Sequence, residues 1–200
     1  MSDTERDTRH RRVVVQELTS LDGFVAGRSG ELDFFDAVPD YGAVDRYNLR
    51  LLADTDLALL GRKTYQMFSA YWPTEQAQGE VVAEIVNSIP KLVFSSTLDS
   101  APWGDREPAQ LWPGDAVERV QQLRQEPGGD LIVWGSITLA RSLLAAELVD
   151  EIQLHVVPIL LGQGRRLLDE DTGMHALTLL ESKGYDSGVV TLRYRVGRAA

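Results

Sequence analysis

The stretch LALLGRKTYQMF, residues 57–68, decides the fold that we predict for this chain. Its first four residues have strand character and run into Gly61, and a helical pattern of apolar side chains resumes after Thr64. A strand, a tight turn and a helix start therefore follow one another. The first N–H groups of a helix are unpaired and favour an anion, and Arg62 and Lys63 add two cations there. These residues predict a phosphate site. The alternative is an ordinary turn whose basic side chains are solvated.

Strands and helices alternate on both sides of this stretch. Residues 12–19, 91–95 and 130–134 have the composition of strands, and the valines of the first suit burial on both faces. Residues 41–53 and 81–89 carry apolar side chains at helical spacing. The alternation predicts a mainly parallel, twisted sheet with helices on both faces.

The C-terminal half adds a capped helix and a hairpin. Asp115 and Glu118 form a capping box that opens a helix. Residues 150–157 alternate apolar and polar side chains, which predicts a strand with one polar face that includes His155. Residues 176–182 and 189–196 are typical of an antiparallel hairpin. We therefore predict a single-domain α/β fold whose parallel sheet ends in an antiparallel hairpin.

Length and composition fit one globular domain, since the 200 residues are 44% apolar and 25% charged. The net charge of −10 argues against nucleic acid as a partner. No run approaches the roughly 18 apolar residues of a membrane span, and the N-terminus has no signal-peptide pattern. With no cysteine in the sequence, we expect a cytoplasmic protein. We assign residues 1–11 to a flexible N-terminal arm and residues 12–198 to the domain.

Three short polar loops follow predicted strands. They are GRKT after Leu60, SST after Phe94 and GS after Trp134. In an open α/β sheet, ligands bind beyond the carboxyl ends of the strands, so these loops are expected to line one crevice. Glycine and serine are also common in turns that bind nothing, and that alternative stays open for each loop alone.

The order of these motifs resembles a known family. LALLGRKTY, KLVFSSTL and DLIVWGSITLARSLL, together with SLDGFVAG and VDEIQLHVVPILLGQGRRLL, are similar to the dihydrofolate-reductase-like fold. The similarity is greatest to the C-terminal reductase domain of riboflavin biosynthesis and its stand-alone relatives. It covers residues 12–196, which is nearly the whole chain.

The resemblance implies that the cofactor is NADPH. Arg62 would offer a bidentate fork to the 2′-phosphate, and Thr64 a hydroxyl to the pyrophosphate. The Gly135–Ser136 turn matches a paired-glycine turn that contains a cis peptide in dihydrofolate reductases, and here the second glycine is replaced by Ser136. The cofactor residues that we predict are Gly61, Arg62, Lys63, Thr64, Ser95, Ser96, Trp134, Gly135, Ser136, Ile137, Thr138 and Leu139.

The substrate side is predicted from fewer signals. Asp22 in SLDG would lie at the mouth of the crevice and orient substrate or cofactor; the alternative is an Asp that makes a turn with Gly23. Glu31, Asp33 and Asp40 are the alternatives for a buried acid after it, and Asp33 is the one we expect in an apolar setting, because Leu32, Phe34 and Phe35 flank it. Asp22 and Asp33 are thus the catalytic candidates. Phe34, Tyr71 and Trp72 are candidates for the substrate wall, although aromatic residues there are as often core.

These features predict an NADPH-dependent reductase that transfers hydride to a small heterocycle, such as a pterin or a ribosylaminopyrimidine, or to a carbonyl compound. The alternatives are a nucleotide-binding module without chemistry and a structural dimer built through the C-terminal strands and the GQGRR loop, residues 162–166. His10, His155 and His175 lack the spacing of a metal site, so no metal is predicted. We expect a homodimer with a small-molecule substrate.

Overall fold

The computed structural model describes residues 10–168 and 173–197. The strands are β1 (Val13–Ser20), β2 (Phe24–Ala26), β3 (Thr55–Gly61), β4 (Lys91–Phe94), β5 (Gln110–Trp112), β6 (Asp130–Trp134), β7 (Glu151–Val157), β8 (Arg165–Arg166), β9 (Leu177–Gly184) and β10 (Val190–Val196). The α-helices are α1 (Gly42–Leu51), α2 (Arg62–Tyr71), α3 (Ala83–Ser88), α4 (Ala116–Leu123) and α5 (Ile137–Ala145). Short 3-10 helices span Asp33–Ala37 and Glu75–Ala77.

Eight strands form one sheet in the order β5-β4-β3-β6-β1-β7-β10-β9, and β2 pairs with β8 in a separate ribbon. Neighbours from β5 to β7 are parallel, whereas β10 is antiparallel to both β7 and β9. An apolar cluster packs α4 and α5 against one face of the sheet, and a second cluster packs α2 and α3 against the other. The predicted parallel sheet with flanking helices and a C-terminal hairpin is confirmed.

The parallel register brings the three predicted loops to one edge of the sheet. Gly61 at the end of β3 is level with Phe94 at the end of β4. Leu59 pairs with Val133 of β6, so Gly135, which follows β6, is level with Gly61. Because β4, β3 and β6 are neighbours, their C-terminal loops leave the sheet side by side.

The domain begins earlier than the sequence indicates. Residues 1–9 of the predicted arm lie outside the described residues. Arg11, which we assigned to that arm, is only 6% exposed. Its guanidinium donates a hydrogen bond to Gly129 O at 2.8 Å and another to the Asp56 carboxylate. Arg11 thus ties the start of β1 to β3 and β6, which is why it belongs to the domain.

The predicted polar face of β7 is buried, which corrects the simple interpretation of its alternation. Glu151, Gln153 and His155 are 3%, 3% and 1% exposed because β7 lies between β1 and β10. His155 Nδ1 lies 2.8 Å from Thr191 Oγ1, whereas its Nε2 atom has no hydrogen-bond partner. Burial lowers the pKa of His155 to about 4. A period of two cannot distinguish a solvated polar face from a buried polar network.

The C-terminal strand β9 lies at the edge of the sheet and exposes apolar side chains. Leu177, Leu179 and Leu180 are 46%, 52% and 39% exposed. Homodimerisation through the C-terminal strands stays a prediction. In the part of the chain that is described, no helix has the length and apolar character needed to cross a membrane.

Candidate active site

The loops after β3 and β6 are joined by hydrogen bonds at the predicted phosphate site. The Gly61 N–H donates to Ser136 Oγ at 2.6 Å, and Ser136 Oγ donates to Thr64 Oγ1 at 2.8 Å. A Cβ atom on Gly61 would lie 3.1 Å from Ser136 Oγ, so the glycine permits this close approach. Helices α2 and α5 therefore begin next to each other at one end of the crevice.

The Gly135–Ser136 turn has a left-handed backbone. The φ angles of Gly135 and Ser136 are 55° and 61°, and no cis peptide occurs within the described residues. A Cβ atom on Gly135 would lie 3.1 Å from Thr64 Cγ2, which explains glycine at that position. Serine in the left-handed region costs about 1–2 kcal/mol. Its two hydrogen bonds offset that cost, so Ser136 fastens the two loops together.

We expect Ser136→Ala to lower the free energy of unfolding by about 1–2 kcal/mol, because it leaves the partly buried Gly61 N–H without its acceptor. Ser136→Gly loses the same bonds but relieves the left-handed strain, so it should be about 1 kcal/mol more stable than Ser136→Ala. Urea denaturation of both variants measures the difference. An alanine variant as stable as the wild type would show that the hydroxyl does not hold the loops.

Of the other predicted cofactor residues, Trp134 and Leu139 are buried in the apolar clusters, at 6% and 7% exposure, so their contact with a cofactor stays a prediction. Arg62 and Lys63 are exposed in the first turn of α2. Ser95 follows β4, and its Oγ accepts hydrogen bonds from the Thr97 and Leu98 N–H groups, both at 3.2 Å. These hydrogen bonds stabilise the turn that follows β4. Ser96 is exposed beside it. The structure brings all three predicted loops to one edge.

Asp22 is a structural carboxylate in the turn after β1. It accepts hydrogen bonds from Ser20 Oγ at 2.7 Å, Leu161 N–H at 3.1 Å and Gly162 N–H at 2.7 Å. The Ser20 hydroxyl and these backbone donors lower the pKa of Asp22 to about 2. Asp22 is therefore ionised at neutral pH, and it ties the SLDG turn to the GQGRR loop rather than holding a proton for a substrate.

The model of the RibD C-terminal domain family matches residues 11–191. The chain belongs to this family. Its sequence is 29% identical over 188 residues to the uncharacterised protein YyaP of Bacillus subtilis (strain 168), covering 93% of this chain and 95% of YyaP. A second uncharacterised protein of that organism, YwjB, is 27% identical over 182 residues, covering 90% of this chain and 95% of YwjB.

Solved structures share the fold of this RibD C-terminal domain. A putative riboflavin biosynthesis protein from Shewanella sp. PV-4 is 26% identical with a TM-score of 0.76, covering 94% of this chain and 99% of the other. A dihydrofolate reductase from Enterococcus faecalis, complexed with NADP(H) and RAB-propyl, has a TM-score of 0.62 at 13% identity. The match covers 94% of this chain and 98% of the dihydrofolate reductase chain. The family resemblance seen in the sequence is confirmed.

Two predicted substrate-side residues have other positions than expected. Asp33 is exposed in the 3-10 helix Asp33–Ala37, so the prediction of an apolar setting is wrong. The flanking Phe34 is buried instead, at 4% exposure, and packs with Val38 and Val157 in a small core of its own. The apolar neighbours of Asp33 turn inward and leave the carboxylate in water.

The aromatic pair after α2 is half-buried. Tyr71 donates its hydroxyl proton to Glu80 Oε1 at 2.7 Å, and Trp72 packs edge-on against Tyr71 and Phe68. The Asn87 amide donates to the Trp72 carbonyl at 2.8 Å. These contacts give both residues a packing role between α2 and α3; their contact with a substrate stays a prediction.

Sequence reasoning missed the buried polar residues of β1. Gln16 donates to Asn48 Oδ1 and Gln153 Oε1, both at 2.9 Å, and accepts from Trp134 Nε1 at 2.8 Å. Glu17 follows it and is 8% exposed. The signal was present, since two polar residues interrupt a strand-like run of valines. No group of three or more His, Cys, Asp or Glu side chains among the described residues is arranged to hold a metal ion.

Proposed function

We propose that this protein is an NADPH-dependent reductase acting on a small heterocyclic or carbonyl compound. The observation that carries the proposal is the junction of Gly61, Thr64 and Ser136, where α2 and α5 begin side by side. Helix N-termini favour phosphate groups, and two of them at one point suit a pyrophosphate. The family and fold relatives, which include a dihydrofolate reductase complexed with NADP(H), support the same cofactor.

Local charge agrees with a polyanionic cofactor. The chain carries a net charge of −10, so an anion must bind where positive charge is concentrated. Arg62 and Lys63 are exposed in the first turn of α2, and that turn contains no acidic residue. A guanidinium can hold a 2′-phosphate with two parallel hydrogen bonds. Arg62 is therefore assigned to the phosphate that distinguishes NADPH from NADH.

The residues present fit such a cofactor, which would supply a hydride when bound. Gly61 and Gly135 let the side chains of Ser136 and Thr64 pack closely against the backbone, and these two residues carry hydroxyl groups at the junction. Beyond Gln16 the ladder between β1 and β6 ends, although the ladder between β1 and β7 continues to Ser20. This leaves an open edge of β1 for the reacting rings, next to the Gly135 turn.

Arg62→Ala should weaken NADPH binding by about 10–100-fold, which corresponds to the roughly 1.5–3 kcal/mol of a charge-assisted contact. Binding of NADH should hardly change, because NADH has no 2′-phosphate. Tryptophan fluorescence reports both affinities, since Trp134 directly precedes the turn.

Arg195→Ala is the matched control, because Arg195 is an exposed arginine on β10, away from the crevice. It should bind both nucleotides like the wild type. If Arg62→Ala lost affinity for NADPH and for NADH by the same factor, the assignment of Arg62 to the 2′-phosphate would be refuted.

The experiment that tests the enzymatic proposal is a screen for NADPH oxidation. Dihydrofolate, ribosylaminopyrimidines and simple carbonyl compounds cover the substrate classes that we propose. Oxidation that depends on one of these classes supports a reductase. Tight NADPH binding without oxidation by any of them would favour the alternative, a nucleotide-binding module without chemistry.

A further inference from the structure

Glu17 is a buried acid without a hydrogen-bond partner. Within the described residues, its Oε1 atom is one of four buried side-chain polar atoms that have none, and it is the only carboxyl oxygen among them. The residue as a whole is 8% exposed. Burial raises the pKa of Glu17 to about 8, and no neighbouring charge contributes to this shift. The carboxyl group is therefore a neutral acid, with a proton to donate, at pH 7.

Glu17 lies where β1 enters the crevice. The last residue of β1 that pairs with β6 is Gln16, opposite Trp134. Glu17 is the next residue, so it is level with Gly135, whose turn packs against Thr64. On its other side Glu17 pairs with Leu154 of β7. It is thus the first residue of the open β1 edge.

The surroundings of Glu17 explain why its proton is retained. Alternation along β1 places Glu17 on the same face as Val13 and Val15. Val13 and Val15 belong to an apolar cluster that also includes Val25 of β2, Leu139 and Leu143 of α5, and Leu167 after β8. No charged group contributes to the raised pKa of Glu17. An ionised Glu17 would lack both a counter-charge and a hydrogen-bond donor at Oε1.

We propose that Glu17 is the acid that protonates the substrate during reduction, an inference that rests on the proposed reductase function. The electrophilic carbon of a C=N or C=O bond would receive a hydride, with two electrons, from bound NADPH. The π-electron pair moves to the nitrogen or oxygen, and that atom takes the proton of the Glu17 carboxyl group. Glu17 is left as a carboxylate, and water returns its proton in the next cycle.

This role distinguishes Glu17 from Asp22, the acid in the turn after β1. Asp22 accepts three hydrogen bonds and is ionised at neutral pH, so it has no proton to give. Glu17 accepts none at Oε1 and retains its proton. Of the two acids, only Glu17 is in the state that a general acid requires.

The test compares wild type with Glu17→Gln, which keeps the shape of the neutral acid but cannot release a proton. Glu107→Gln is the control, because Glu107 is exposed in the loop before β5. Glu17→Gln should bind NADPH like the wild type and lower kcat by about 10²–10⁴-fold, the range for a lost general acid. Wild-type activity should fall above about pH 8, as Glu17 loses its proton.

Infrared difference spectroscopy of wild type against Glu17→Gln provides a readout that needs no turnover. We expect a carbonyl band of a protonated carboxyl group at pH 6 that disappears with a midpoint near pH 8. An ionised Glu17 at pH 6 would overturn the inference. So would a Glu17→Gln variant with wild-type turnover and wild-type pH dependence, even if the reductase function holds. Failure of wild type to oxidise NADPH would instead overturn the proposed function and this inference with it.

Discussion

Glu17→Gln should raise the free energy of unfolding by about 3 kcal/mol at pH 7. Burial raises the pKa of Glu17 from 4.5 to about 8 in the folded protein. Well below pH 4.5 the acid is neutral in both the folded and the unfolded state, so its titration does not change the free energy of unfolding there. Between pH 4.5 and 8 the unfolded chain releases the proton and the folded protein keeps it. The free energy of unfolding therefore falls with rising pH, by about 1.4 kcal/mol per pH unit.

Glutamine is neutral in both states, so Glu17→Gln lacks this slope. Urea denaturation at pH 5, 7 and 9 should show a stability difference between variant and wild type that is small at pH 5 and largest at pH 9. The control Glu107→Gln should differ little from wild type at any of these pH values, since Glu107 is exposed. A stability difference that does not change with pH would mean that Glu17 is not a buried neutral acid.

The comparison of two variants is needed because another buried group acts in the opposite direction. The pKa of His155 is lowered from 6.5 to about 4 by burial. The unfolded chain therefore binds a proton at His155 as the pH falls through 6.5, and the folded protein does not. His155 lowers the free energy of unfolding as the pH falls, whereas Glu17 lowers it as the pH rises. The contribution of His155 is the same in wild type and in Glu17→Gln, so the difference between their free energies of unfolding reports Glu17 alone.

Arg193→Ala should lower the free energy of unfolding by about 1.5–3 kcal/mol, because it removes a charge-assisted hydrogen bond to a buried carboxylate. Arg193 Nε donates to Glu151 Oε1 at 2.7 Å, and Glu151 is 3% exposed. A second arginine nitrogen donates to Glu181 Oε2 at 3.2 Å. Two other groups remain beside Glu151 and limit the loss: the Gln153 amide donates to Oε1 at 2.9 Å, and Arg12 lies 3.6 Å from Oε2. Thermal or urea denaturation at pH 7 measures the loss.

Arg195→Ala is the control on the same strand. Arg195 is two residues further along β10 and exposed, so its loss should change the free energy of unfolding by at most about 0.5 kcal/mol. Similar small effects of both substitutions would show that the Glu151 carboxylate does not depend on Arg193. The contrast tests whether the polar face of β7 is a buried network.

Local patterns predicted most of the main sheet because its longer strands and the helices between them have their own signals, whereas the short β2–β8 ribbon was not predicted. The Asp115 N-cap is present, since the Asp115 carboxylate accepts a hydrogen bond from the Glu118 N–H at 2.9 Å. The turn at Gly61 and the helix after it form where the sequence places them. The parallel arrangement of β3, β4 and β6 follows from the alternation of strands and helices along the chain. Because these strands are parallel, the three loops that follow them meet at one edge of the sheet.

What the sequence could not predict is which polar side chains are buried. Arg11 and His155 are buried by contacts with residues more than 35 positions away in sequence. No local sequence pattern therefore indicates their burial. Asp33 illustrates the reverse case, since apolar neighbours on a 3-10 helix turned away from it. Glu17 was missed because a single acid in a run of strand residues is normally exposed.

The account depends most directly on whether the crevice binds NADPH. Titration of the wild-type protein with NADPH and with NADH, followed by tryptophan fluorescence, measures this without knowledge of the substrate. We predict quenching by both nucleotides, with NADPH bound at least about ten times more tightly because of the charge-assisted contact with Arg62. Absence of quenching together with no thermal stabilisation by NADPH would contradict the account.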